Sequence, residues 1–224
     1  MLVIDNNSFP YYVIFITLSI IAGLIYMYLN IKKISNNKNV YLYLVMFLVF
    51  SLFFGKLFGY LCDIKNTNII TSGLSSYGGL FGIILASIIF EYIMPLDKKL
   101  IKLSIIVLPL MYSIGKIGCL LQGCCYGIEY NGFLSINYIN SSVSYFPVQL
   151  VEAVVFLIIF IIANKYKNKN NIVPLTILIC SLAKFLLDFL RYEHNIFSLT
   201  NIFGIILIVI SIILIIRGVI HEKK

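Results

Sequence analysis

The sequence predicts an all-α integral membrane protein, and three observations carry that reading. Of 224 residues, 61% are hydrophobic and only 12% charged, with a mean hydropathy of +1.00. A soluble domain of this size lacks the polar surface to cover so much apolar chain, so its solvent is largely lipid. Seven apolar runs recur, each long enough to cross a hydrocarbon core of about 30 Å. The connections between them alternate sharply in charge.

The runs fall at about 10–29, 40–61, 76–95, 102–121, 147–164, 172–190 and 201–216. The first follows Met1-Leu-Val-Ile-Asp5, which has no basic n-region, so it reads as a span rather than a separate signal peptide. Lys32, Lys33 and Lys38 lie in the first connection, Lys98, Lys99 and Lys102 in and after the third. Lys165, Lys167 and Lys169 fill the fifth, and Arg217, Lys223 and Lys224 the C-terminal tail. The alternate connections hold few cations and carry Asp63, Glu129 and Glu193. Twelve of the seventeen Lys and Arg thus share one side, which the positive-inside rule assigns to the cytoplasm. The expected architecture is one polytopic domain over 1–224, with about seven transmembrane helices, the N-terminus outside and the C-terminus cytoplasmic.

The same asymmetry excludes a nucleic-acid partner, because the net charge of +8 is a topology signal. The longest outer connection, 122–146, forms a small extracellular region containing Asn131-Gly132. Within it, Phe133 to Tyr138 fits either a short strand or an interfacial segment. No internal repeat is evident.

Function is sought among polar residues at membrane depth, where a charge is costly and an ionisable side chain is a functional hypothesis by default. Gly115-Lys-Ile-Gly-Cys-Leu-Leu-Gln-Gly-Cys-Cys-Tyr-Gly127 closes the fourth run with a cation, glycines and three cysteines. Glycines there let a bulky anionic group approach the backbone, which suits a lipid headgroup. Lys116, Glu152 and Arg191 all fall in the outer half of the bilayer and converge on one site. Lys184, Asp188 and Arg191 are spaced i, i+4, i+7 and share a helix face; Lys184–Asp188 and Asp188–Arg191 also read as neutralising pairs. The planar fork of Arg191 suits phosphate bidentately. Tyr77 stands beside Gly78 and Gly79 at the outer start of the third run. It reads either as a belt tyrosine or as a site residue, and the glycines as close-packing positions. Lys56 is a further charge within the second run. Polar positions clustered in the outer half favour a site over a transport passage.

The five cysteines show neither a disulfide framework nor a zinc spacing. Cys62 and Cys180 read as small hydrophobes. Cys119, Cys124 and Cys125 fit an extracellular disulfide or a reactive thiol beside Lys116. With histidine only at 194 and 221, a histidine-dependent mechanism has little support. No metal or other cofactor is expected.

Four segments together resemble the prolipoprotein diacylglyceryl transferase family. Gly115-Lys-Ile-Gly-Cys-Leu-Leu-Gln-Gly-Cys124 is similar to its Gly-Arg-x-Gly-Asn-Phe-x-Asn-Gly-Glu signature. Ser72-Gly-Leu-Ser-Ser-Tyr-Gly-Gly-Leu80 resembles its Gly-x-x-Phe-(His/Tyr)-Gly-Gly-Leu turn, and Phe146-Pro-Val-Gln-Leu-Val-Glu152 its His-Pro-x-Gln-Leu-Tyr-Glu. Lys184-Phe-Leu-Leu-Asp-Phe-Leu-Arg191 resembles its Arg-Phe-x-x-Glu-x-x-Arg. The four occur in family order over about 50–195, and the seven-helix topology agrees.

The resemblance implies a multi-pass protein of a bacterial-type cytoplasmic membrane. It implies transfer of the diacylglyceryl group of phosphatidylglycerol, or a related phospholipid, to the lipobox cysteine of a prolipoprotein. By position it gives Lys116 and Arg191 the phosphate-facing role and Tyr77 a part in deprotonating the thiol. Gly78, Gly79, Gly118, Cys119, Gln122, Gly123, Cys124, Gln149, Glu152 and Asp188 become substrate-binding, with Gln149, Glu152 and Asp188 holding the cations. The chain departs from the pattern in concert. Lys replaces Arg at 116, 184 and 56, keeping charge and losing the fork. Cys119 and Cys124 stand for Asn and Glu, Phe146 for His, and Val151 for Tyr. A divergent branch with a reduced outer head region is expected; the alternatives are a different acceptor, or a non-catalytic lipid-binding or transport membrane protein.

Overall fold

The computed structural model describes residues 2–4, 10–31, 39–62, 64, 68–69, 72–93, 99–139, 141–192 and 198–222. Several charges used to infer topology lie outside the described residues: Lys32, Lys33, Lys38, Asp63, Lys98, Glu193, Lys223 and Lys224, as does His194. The described residues form seven helices: α1 Tyr11–Ile31, α2 Asn39–Cys62, α3 Ser76–Ile93, α4 Lys99–Gln122, α5 Val148–Lys165, α6 Ile172–Asp188 and α7 Leu199–Glu222. Each falls on an expected run, because an uninterrupted apolar backbone in lipid must satisfy its own hydrogen bonds.

By length and hydropathy, α1, α2, α4, α5 and α7 are able to cross a membrane. The apolar stretch of α3 is shorter, Ser76–Phe90, and α6 has 17 residues with Lys184 and Asp188 near its end. Among the described residues there are therefore seven helices, five of them long and apolar enough to cross a membrane.

Helix α4 is the axis of the fold. It packs along α1 and α5 and touches α3 and α6, while α2 pairs with α3 and α6 with α7. Buried residues make up 61% of its most apolar window, against 17% in α1 and in α7. Helix α1 turns Leu18, Ile21 and Ile25 outward, and α7 turns Ile205, Ile206 and Val209 outward, a surface that lipid covers and water would not tolerate at this extent.

The α2–α3 contact depends on small residues. A Cβ at Gly78 would stand 2.3 Å from the Phe54 carbonyl oxygen, whereas one at Gly79 would meet Ser51 O at an ordinary 3.7 Å. Gly78 thus sets the approach of the two backbones, and Gly79 does not. At the basic end, Tyr43 hydrogen-bonds Ser87 and Ser104 at 2.9 and 2.7 Å, knitting α2 to α3 and α4. There too, Lys167 Nζ donates to Asn30 Oδ1 at 2.9 Å and Lys102 Nζ to Lys169 O at 3.3 Å. The basic connections therefore share one face of the bundle.

The opposite face carries a three-stranded sheet. Strand β1, Leu2–Ile4, runs parallel to β2, Ile136–Tyr138, which pairs antiparallel with β3, Ser144–Tyr145. The segment 133–138 therefore resolves into a turn leading to a strand. Pairing of Val3 with Asn137 places the N-terminus on the face of the 122–146 region.

Candidate functional site

The site is assembled where α4, α5, α6 and the 122–146 region meet. Glu152, one turn into α5, is fully buried, accepts two hydrogen bonds and pairs with one ammonium. Lys116 Nζ lies 2.6 Å from Oε2, while Arg191 Nη2 and the Tyr112 hydroxyl both donate to Oε1 at 2.9 Å. A carboxylate without water is tolerable only when paired and hydrogen-bonded in this way. Tyr112 and Lys116 are four residues apart on α4 and face α5 together. Lys184 of α6 completes the group, with Nζ 3.4 Å from the Tyr112 hydroxyl and 5.4 Å from the ring centroids of Tyr77 and Tyr112.

Arg191 lies past the end of α6, which stops at Asp188. It is held by backbone pairing to the outer region rather than by the helix face that its spacing suggests. Ile128 N–H donates to Leu190 O at 2.9 Å and Tyr192 N–H to Tyr126 O at 3.1 Å, flanking a bridge between Gly127 and Arg191. Its Nε also lies 3.3 Å from Asp188 Oδ1, and Asp188 Oδ2 accepts from Asn201 of α7 at 3.0 Å. Three cations, Lys116, Lys184 and Arg191, thus surround two carboxylates, leaving an excess of one positive charge.

The other expected residues divide by what they touch. Gln149 is 1% exposed, and its Nε2 donates to Cys124 O at 2.7 Å, so it anchors the turn after α4 rather than a cation. Gln122 Oε1 accepts from Tyr12 N–H at 3.2 Å, tying that turn to the start of α1. Gly118 faces Phe15, whose Cβ would lie 2.6 Å from an added Cβ; the glycine admits α1. Gly123 ends α4 in the left-handed conformation, φ 68°. Gly123 N–H donates to Leu120 O and Cys124 N–H to Cys119 O, at 3.3 and 3.1 Å, the bonds of a Schellman cap. Tyr77 is buried, with its hydroxyl beside Gly204 of α7. Lys56 donates to Ser72 O at 2.5 Å and pins the turn before α3.

Sequence reasoning missed Tyr112, Tyr138 and Asn201. Tyr112 lies one turn before Lys116 on the same face, but its residue type alone does not mark it among 16 tyrosines. Tyr138 donates to Leu120 O at 3.2 Å, and burial pushes its phenol above the ordinary range, so it remains neutral. It and Asn201 come from distant elements, and no local signal marks them. Cys119, Cys124 and Cys125, expected as a disulfide or a reactive thiol, do come together, and all three are free. Their sulfur atoms all lie within 4.8 Å of one another, although their spacing is not that of a familiar metal motif.

The chain is thus a helical membrane protein with a buried, net-cationic cluster beside one face of the bundle. The prolipoprotein diacylglyceryl transferase family model matches residues 1–217, and the chain belongs to that family. The chain is 31% identical over 128 residues to phosphatidylglycerol–prolipoprotein diacylglyceryl transferase 2 of Clostridium perfringens. That match covers 52% of this chain and 48% of the relative, so the chain spans about half the length of the curated relative it matches.

Proposed function

We propose that this protein transfers the diacylglyceryl group of phosphatidylglycerol, or of a related phospholipid, to the lipobox cysteine of a prolipoprotein at the outer half of a bacterial cytoplasmic membrane. Family membership supports the reaction class. The observation that carries the reading is the cluster around Glu152, whose excess of one positive charge matches the single charge of a phosphodiester.

The acceptor thiolate forms a carbon–sulfur bond to the glyceryl carbon that bears the phosphate. The carbon–oxygen bond to that phosphate breaks, and glycerol phosphate leaves with the electron pair. Lys116 and Arg191 stabilise the charge that grows on the phosphate, and fixed cations in a water-poor site do this without reorganisation. Glu152 and Asp188 hold those cations apart and in place. Tyr77, its ring fixed against Lys184, assists passage of the thiol proton to the departing glycerol phosphate.

The test is purified protein in detergent with phosphatidylglycerol and a lipobox peptide, read by mass spectrometry. A diacylglyceryl adduct on the cysteine is expected. Arg191→Ala should reduce it by about 100-fold or more, the size of losing one charge-stabilising donor. Lys116→Arg should retain activity, since it restores the fork of the family signature. Lipid consumption that requires added cell extract would assign a different acceptor. Absence of consumption under both conditions would overturn the transferase reading.

A further inference from the structure

Cys119, Cys124 and Cys125 account for three of the five cysteines and form one cluster at the end of α4. Cys119 is buried, Cys124 half-buried and Cys125 exposed, so the group runs from the helix to the surface. All three sulfurs lie within 4.8 Å of one another. A zinc–thiolate bond of about 2.3 Å at tetrahedral angles puts sulfurs about 3.8 Å apart. The cluster is therefore within a small side-chain adjustment of a three-sulfur face.

The backbone is committed to this convergence. The Schellman bonds bring Cys124 back over Cys119. Cys125 then adopts φ 59°, a conformation uncommon for a residue with a side chain. Gln149 locks the turn through Cys124 O at 2.7 Å. The surroundings also suit an anionic complex. Three thiolates with one divalent cation carry a net single negative charge, and Lys116 stands three residues before Cys119 on α4. By resemblance, two of these cysteines replace the Asn and Glu of the family signature, so their appearance together is a change of donor chemistry from oxygen and nitrogen to sulfur.

We infer that Cys119, Cys124 and Cys125 bind a thiophilic divalent cation of the zinc class, with a fourth position left for an exchangeable ligand. Three soft donors select such an ion over magnesium or calcium, and three protein ligands with one exchangeable position is the arrangement of an open rather than a closed site. The inference does not depend on the transfer reaction.

The test is titration of the reduced, full-length protein in detergent with cobalt, followed by displacement with zinc. One equivalent of cobalt should give sulfur-to-cobalt charge-transfer absorption and tetrahedral visible bands, and zinc should abolish both. The exposed Cys125→Ser variant should keep the thermal transition, lose about a third of the charge-transfer intensity and bind more weakly by roughly a hundredfold or more, since even supporting partners of a ligand are worth up to about that. The Cys62→Ser/Cys180→Ser variant should titrate like the parent. Three results would each overturn the site: no thiolate charge transfer in the folded parent, spectra that depend on Cys62 or Cys180, or a disulfide between two of the three cysteines in protein extracted from membranes.

Discussion

Glu152 accepts from Tyr112 and Arg191 at one oxygen and faces Lys116 with the other, so a change there alters three residues at once. In Glu152→Ala Lys116 loses its buried counter-charge and Arg191 is left with Asp188 alone, which costs about 3 kcal/mol or more. Glu152→Gln is gentler in shape, because its carbonyl oxygen still accepts from Arg191 and Tyr112. Its amide nitrogen, however, sets a donor against the ammonium of Lys116. The expected outcome is a lowered thermal transition in detergent for both, larger for Ala, with transfer lost in both while membrane insertion persists. Parent-like stability in Glu152→Ala would show that the cations do not rely on it. That Glu152, Lys116 and Arg191 meet was legible in the sequence, since each is a costly charge placed near the outer end of a run. Tyr112 was not, because one tyrosine among 16 in an apolar helix looks like an ordinary core or interfacial ring.

Between elements, close approach of backbones decides more than side-chain area, because lipid offers little hydrophobic drive for helices to associate. Gly78 and Gly79 are adjacent and look alike in sequence, yet their environments differ. An alanine methyl at 78 would overlap Phe54 O and Phe58 Cβ, at 2.3 and 2.6 Å, whereas at 79 it would meet Ser51 O at 3.7 Å. Gly78→Ala should destabilise the protein by about 2 kcal/mol, the scale of overpacking, and Gly79→Ala should be near neutral. Thermal unfolding in detergent checks both, and equal transitions would remove Gly78 from the α2–α3 contact. Helix positions were legible to within a few residues, because hydropathy alone fixes them. Two features of the elements were not. Gly118 reads as an opening for a ligand but receives Phe15 of α1, a contact between segments about a hundred residues apart. Arg191 reads as the last turn of α6, yet pairing with the 126–128 strand-like segment places it outside the helix.

At the scale of the molecule, orientation decides whether the chemistry has access to its substrates. Of seventeen cations, twelve lie in the basic connections and tail, Lys56, Lys116, Lys184 and Arg191 lie within or at the end of apolar runs, and Lys65 alone lies in an alternate connection. By the positive-inside rule this sets the 122–146 region outside. Two structural contacts tie distant segments to those faces. Lys167 bonds Asn30 on the basic side, and β1 pairs with β2 on the other. The N-terminus, the sheet, Arg191 and the three-cysteine turn therefore move together when the orientation is assigned. A fluorescent protein fused after Lys224 should fluoresce, because folding of that reporter requires the cytoplasm. Alkaline phosphatase inserted at Phe133, which is 86% exposed, should be active, because it requires the outside. The reverse pair of results would turn the Glu152 cluster toward the cytoplasmic leaflet. A lipobox cysteine presented after export would then lie on the wrong side of the membrane, and the proposed acceptor would have to be replaced even if the phospholipid donor were retained.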